Sequence, residues 1–246
     1  MKKNFFSKLF RISLVLSIAL VCIYLFLNSA FFNLDKITFT GLSNLTVDEM
    51  EDISKITLGT NIFKINSELY AKDFTLHPKV KKVAIIKHIP REIEVSITER
   101  VTWAIMPYED KFLFIDDEGF CIDQTFKLQQ LDYPIVTIDE MPDHVYLGRQ
   151  VQAKGIDFVK QVWDELTTEV RDNISDFHYS SQKEELIIYT TRGTEVRFGN
   201  MERIKEKSTF LIQLIKIEDD LQKEGHEVLQ YFDLRFKGQP IIKMGE

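Results

Sequence analysis

No charged residue stands between Arg11 and Asp35, and residues 12–27 (ISLVLSIALVCIYLFL) are apolar apart from Ser13, Ser17 and the hydroxyl of Tyr24. An uninterrupted stretch of about 20 such residues, at the helical rise per residue, matches a hydrocarbon core roughly 30 Å thick. The spacing therefore predicts a transmembrane helix over residues 12–32, with residues 1–11 as a short tail. Lys2, Lys3, Lys8 and Arg11 flank the stretch with no acid among them. The positive-inside bias assigns that tail to the cytoplasm and everything after the helix to the far side of the cytoplasmic membrane. The apolar run is long for the core of a cleaved signal peptide, and Asn28-Ser29-Ala30-Phe31-Phe32 is a poor small-residue cleavage site. Val21 before Cys22 argues against a lipoprotein.

Composition constrains the outer part of the chain. The formal charge is −7, and four of the 31 basic residues precede the span, which leaves −11 on residues 33–246. That balance speaks against nucleic acid, which requires a basic footprint. Cys121 is the only cysteine beyond the span, so no internal disulfide is available to the outer part, and it reads as a small buried strand residue.

Residues 34–100 read as β-α-α-β-β. A strand over residues 34–40 closes at Gly41, and Thr46-Val47-Asp48-Glu49 is a capping box opening a helix. Gly59-Thr60-Asn61 breaks it, and a second short helix over residues 66–74 stops at His77-Pro78. Strands are expected over 80–87 and 92–99, with Ile93, Val95 and Ile97 inward and Pro90-Arg91 in the turn. Residues 101–246 read as a mixed, β-rich unit, giving an α+β fold class. Its expected elements are a strand at 112–115 followed by a solvated acidic turn, Asp116-Asp117-Glu118-Gly119, and one helix over 152–170 with Ile156, Val159, Val162, Trp163, Leu166 and Val170 on one face. Strands near 174–180, 185–191 and 194–199 come next. A helix over 202–222 with Ile204, Leu211, Leu214, Ile215 and Leu221 inward precedes Gly225, and two closing strands, 229–236 and 239–244, are split at Lys237-Gly238.

Catalytic chemistry finds little footing. Ser180-Ser181-Gln182-Lys183 matches the S-x-x-K nucleophile motif, but it joins two strand-like runs where the nucleophile should open a helix, and no K-T-G comes after it. His77, His88, His144, His178 and His226 show no metal-ligand spacing and read as surface or loop residues. No phosphate-binding loop or G-x-S-x-G occurs. The sequence thus predicts no catalytic residue, cofactor, metal or small-molecule substrate. A membrane-anchored cell-wall hydrolase or transpeptidase is the competing class. What the chain offers is binding surface. One of the closing strands is expected at a sheet edge, where unpaired N–H and C=O groups accept a strand from another protein or are guarded by Lys237 and Lys243; the residues alone leave both readings open.

Several ordered segments resemble the FtsQ/DivIB family of cell-division proteins. They are Ile37-Thr38-Phe39-Thr40-Gly41, Gly59-Thr60-Asn61-Ile62-Phe63, His77-Pro78-Lys79-Val80, and Ile89-Pro90 through Ile97-Thr98-Glu99-Arg100. After them come Tyr133-Pro134-Ile135-Val136, Glu195-Val196-Arg197-Phe198-Gly199 and Tyr231-Phe232-Asp233-Leu234-Arg235. The resemblance implies a POTRA domain over 34–100, an FtsQ-type β-domain over 101–246, and a non-enzymatic scaffold concentrated at the division septum. It implies binding to FtsB and FtsL homologues and regulation of septal peptidoglycan synthesis by FtsW and its transpeptidase. By the same resemblance the contact residues are Tyr231, Phe232, Leu234, Arg235, Phe236, Ile241, Ile242 and Lys243. Asn200 stands where some relatives place a contacting arginine, with Arg203 or Lys207 as replacements. A second docking surface is implied on the POTRA unit, through Asp48, Glu49, Glu51 and Asp52 or through Lys79, Lys81, Lys82 and Lys87.

Overall fold

The computed structural model describes residues 2–128, 133–224 and 229–245. Gly225 and His226 lie outside them. The chain divides between Glu99 and Arg100 into two units, each described by itself.

The first unit opens with helix α1 (Lys2–Leu27), of which Lys8–Leu27 is long and apolar enough to cross a membrane. The helix stops five residues before the expected end of the span. Ala30–Phe32 instead forms a 3-10 turn, and the Phe32 ring is buried 5.0 Å from that of Phe63. Phe32 thus belongs to the core of the adjoining domain, because an aromatic ring gains more from that contact than from extending the helix. Strand β1 (Lys36–Thr40), helices α2 (Val47–Ile53) and α3 (Ser67–Phe74), and strands β2 (Val80–His88) and β3 (Glu92–Glu99) complete the unit. The sheet order is β1-β3-β2, with β1 parallel and β2 antiparallel to β3. Ile93, Val95 and Ile97 point inward as the alternation predicts and pack with Met50 and Phe74 of the helices.

Local chemistry sets these boundaries. The Thr46 hydroxyl accepts from the Glu49 N–H while the Glu49 carboxylate accepts from the Thr46 N–H, a complete capping box. Those bonds hold the Glu49 carboxyl below its ordinary pKa. The Asn66 side chain caps α3 by accepting from Glu68 and Leu69. Gly41 sits at φ +80° with the Ile97 carbonyl so close that a Cβ would lie 2.1 Å from its oxygen, a position only glycine can hold.

The second unit is one nine-stranded sheet among the described residues. Its strands are β4 (Ala104–Tyr108), β5 (Lys111–Ile115), β6 (Cys121–Thr125), β7 (Ile135–Ile138), β8 (Ile174–Ser180), β9 (Glu185–Thr190), β10 (Glu195–Gly199), β11 (Leu229–Asp233) and β12 (Ile241–Met244). They run in the order β12-β11-β10-β9-β8-β7-β4-β5-β6. Helices α4 (Ala153–Asp164), α5 (Thr168–Arg171) and α6 (Ile204–Glu224) contribute to its core. Ile156, Val159 and Val162 of α4 and Leu211, Leu214 and Ile215 of α6 join Phe177, Ile188, Val196 and Phe232 of the sheet there. Cys121 is buried on β6 as expected, and burial pushes its thiol up to about 11.

Two expectations are corrected. The single helix over 152–170 is two. The turn at Glu165 and Leu166 tightens to i→i+3 hydrogen bonds onto Val162 and Trp163, and the Arg171 guanidinium takes the Trp163 carbonyl at 2.8 Å, so α5 restarts after Thr167. The acidic turn is also not wholly solvated. Asp116 is buried and ion-paired with Arg100, while its other oxygen accepts from the N–H groups of Glu118 and Phe120. Arg100 completes the burial by stacking 3.7 Å from the centre of the Phe120 ring.

Candidate partner-docking edge

The residues singled out at the end of the chain converge on one side of the large sheet. β11 lies parallel to β10, pairing Glu195 with Tyr231, Val196 with Phe232 and Arg197 with Asp233. β12 folds back antiparallel outside it, pairing Tyr231 with Lys243, Phe232 with Ile242 and Asp233 with Ile241. Because side chains alternate, Val196 and Phe232 share the core with α6. Glu195, Arg197, Tyr231 and Asp233 take the opposite face. β12 is the terminal strand of the sheet, and all four of its residues are exposed.

A short electrostatic ladder organises that outer face. Arg197 donates to Glu195 at 2.7 Å and its guanidinium sits 4.3 Å from the Tyr231 ring centre. Arg235 reaches back to Asp233 with two parallel N–H···O bonds of 3.0 and 2.7 Å. Burial pushes the Asp233 carboxyl up, but the Arg235 side-chain and backbone bonds, with the nearby guanidinium charges, hold it below the ordinary aspartate value. Gly199 permits this packing. It stands at φ +76°, and a Cβ there would fall 2.8 Å from Cγ of Arg235.

The loop from β10 into α6 secures the edge from behind. Arg203, at φ +59°, directs Nη2 to the carbonyls of Leu234, Arg235 and Phe236 at 3.4, 3.3 and 3.2 Å, and Nη1 to Glu206. Lys207 is buried, its ammonium 2.8 Å from the Asn200 carbonyl and 5.1 Å from the Phe198 ring centre. Burial, with the charge of Arg203 adding to it, brings the Lys207 ammonium down to about 8.

The structure therefore sorts the expected contact residues. Phe232, Leu234 and Lys207 are interior: the first two occupy core positions next to α6, and Lys207 lies on the inward stripe of that helix. Their side chains are not available to a partner. Arg203 and Arg235 are engaged within the chain, and Tyr231 is half-buried under Arg197. Phe236 (60% exposed), Ile241 (49%) and Ile242 (46%) stand open, as do Lys243 and Asn200. Sequence reasoning passed over Met244, also exposed at the end of β12, and the Glu195–Arg197 pair, although the period-two pattern of β10 places both on the outer face.

An open hollow of about 500 Å³ lies on this outer face, lined among others by Asp139, His178, Ser180, Ile187, Arg197 and Arg235. It brings a serine, a histidine and an aspartate together, but in the wrong order for nucleophile activation. Ser180 donates directly to Asp139 at 2.7 Å, and the His178 ring is bonded to the Thr137 hydroxyl at 2.9 Å, so no imidazole stands between hydroxyl and carboxylate. Ser180 ends β8 beside the hairpin to β9, as the sequence predicts for that segment. Among the described residues no group of three or more His, Cys, Asp or Glu side chains is placed to hold a metal ion.

An N-terminal helix long enough to cross a membrane, a small β-α-α-β-β domain and a large open-edged sheet define a class of bitopic, two-domain α+β proteins, and comparison with known proteins identifies the family. The model described as "POTRA domain, FtsQ-type" matches residues 32–100, and that described as "Cell division protein FtsQ/DivIB, C-terminal" matches residues 104–235. This chain belongs to the FtsQ/DivIB family of cell division proteins. Its relatives include the cell division protein DivIB of Clostridium botulinum (strain Loch Maree / Type A3), 23% identical over 226 residues that cover 90% of this chain and 86% of the relative. FtsQ of Geotalea daltonii is 24% identical over 223 residues, covering 87% and 77%. The major extracytoplasmic domain of DivIB from Geobacillus stearothermophilus superposes with a TM-score of 0.33 at 19% identity, over 51% of this chain and 97% of that one.

Proposed function

We propose that this protein is a non-enzymatic scaffold of the division machinery, which holds the extracytoplasmic segment of an FtsB homologue, together with its FtsL partner, on the open β12 edge. The observation that carries this is β12 itself: a terminal strand whose four side chains are all exposed, flanked by the exposed Phe236 ring. An added strand would gain main-chain hydrogen bonds along it, with Ile241, Phe236 and Lys243 reading the partner's side chains. In this reading the N-terminal tail is cytoplasmic, both folded units lie across the membrane at the septum, and the scaffold acts on FtsW and the septal transpeptidase by coupling binding equilibria.

The test is binding of the full chain in nanodiscs to the extracytoplasmic segment of the organism's FtsB homologue, with and without FtsL, measured by fluorescence anisotropy. Phe236→Ala and Ile241→Asp are expected to weaken binding tenfold or more, about 1.4 kcal/mol. Unchanged affinity in both variants would move the interface away from this edge.

A further inference from the structure

We propose that the end of the POTRA domain nearest helix α1 is itself a lipid-docking surface, seated on the interfacial and anionic-headgroup zone of the bilayer that its own helix crosses. Two loops of the domain are fastened to the end of that helix or to the segment just after it. In the first, Asn61 donates Nδ2 to the Leu27 carbonyl at 2.8 Å and bridges to Asn33, and the Leu34 N–H donates to Thr60. In the second, at the tip of the β2–β3 hairpin, Arg91 donates Nε to the Asn33 carbonyl at 3.2 Å and accepts from the Asp35 N–H. Strand register puts both loops at one end of the sheet, since β1 and β3 start there together at Lys36 and Glu92, and β2 ends there at His88.

The side chains that protrude at this end are those of a membrane interface. Phe31 (53% exposed) lies within a ring contact of Phe26 and Phe32, and Phe63 (46%) continues the same aromatic chain onto the first loop. Ile89 (60%) tips the hairpin. Water would be a costly neighbour for three large apolar groups so close to the end of an apolar helix, whereas the interfacial zone accepts them. Charge points the same way. Lys36 and Lys64 are exposed at this end, Arg91 is paired with Asp35, and Lys87 donates to the Ile65 carbonyl at 2.5 Å. Against these cations stand Asp35 and Glu92. At the opposite end, where β1 closes at Gly41 and β3 at Glu99, helix α2 presents Asp48, Glu49, Glu51 and Asp52. Lys36, Lys64, Lys87 and Arg91 thus gather at the end nearest the bilayer against Asp35, Glu92 and Glu68 of the first turn of α3, a grouping that anionic headgroups favour, whereas the acids of α2 at the other end are interspersed with Lys55, His77 and Lys79.

The experiment uses the full chain in nanodiscs, in a Cys22→Ala background in which Cys121 is buried and unreactive. Phe63→Cys, Ile89→Cys and Leu76→Cys are labelled in turn with an environment-sensitive fluorophore, and quenching by lipids nitroxide-labelled near the glycerol backbone is compared. Leu76 is exposed beside the start of β2, at the far end of the sheet. The expected result is at least twofold stronger quenching at 63 and 89 than at 76 in discs containing phosphatidylglycerol. Lys36→Glu with Lys64→Glu, or discs of phosphatidylcholine alone, should reduce it. Equal quenching at all three sites overturns the proposal; strong quenching at 63 and 89 that ignores both charge arms overturns its anionic half. Failure of the chain to enter nanodiscs would instead strike at the membrane anchor.

Discussion

The two edges of the nine-stranded sheet are finished in opposite ways. At the β6 edge the chain covers itself: Phe120 bridges Gln150, the Cys121 N–H donates to Arg149, the Gly148 N–H donates to Cys121 at 2.7 Å, and Val151 is buried against the turn. At the β12 edge no such strap is present among the described residues, and Ile241, Ile242, Lys243 and Met244 face solvent together. A protein that spends a loop on closing one edge and leaves the other open has separated the edge that maintains its fold from the edge available to another chain.

The contrast is broken most severely at the closed edge. Val151→Asp places an unpaired carboxylate in the core and should cost about 3–5 kcal/mol, read as a lowered urea midpoint of the second unit. Ile241→Asp, the matching change on β12, should cost under about 1 kcal/mol of stability while weakening partner binding at least tenfold. Equal destabilisation by the two would mean that the edges are not different in kind. Gly199→Ala sharpens the comparison from behind the open edge. Its positive φ and the contact with Arg235 predict a loss of about 1–2 kcal/mol, with the Arg235–Asp233 pair displaced and partner affinity lowered.

Acid should act on the same pair more gently. The folded Asp233 carboxyl is held below its unfolded value, so its contribution is present above the unfolded aspartate pKa of about 3.9 and is lost as pH falls through the folded value. Asp233→Asn should therefore flatten the acid limb of the stability curve below about pH 4 and leave the neutral region little changed in slope. Lys207 works with the opposite sense. Its folded ammonium is near 8 against an ordinary 10.5, so the unfolded chain binds more protons between those values, and stability rises across that window as the buried charge is shed. Comparing urea midpoints at pH 8 and 10, Lys207→Met should remove that rise.

Much of this is legible in short-range patterns. The capping box at Thr46, the alternation of Ile93, Val95 and Ile97, and the hairpin break at Lys237-Gly238 are local signals, and each lies where expected. The features that escape the sequence are long-range. Nothing near Asp116 in the sequence announces Arg100 as its partner, and nothing near Phe32 announces Phe63. At the docking edge, strand alternation already halves the candidates, and Phe232 falls on the buried half. The burial of Lys207 is readable from its spacing: it stands four residues before Leu211 and seven before Leu214, on the apolar stripe of α6. Glu218, one turn further along that stripe, is likewise buried and takes hydrogen bonds from Thr190 and Thr194.

The Arg203 clamp has a kinetic consequence. Three successive carbonyls, from Leu234 to Phe236, converge on one guanidinium just where β11 turns toward β12. That turn gives up its conformational entropy when the unit folds, not when a second chain arrives. A strand adding to this edge meets a template already set, so the ordering cost of the encounter falls on the incoming segment. Cutting the clamp with Arg203→Ala should then show itself first as slower association.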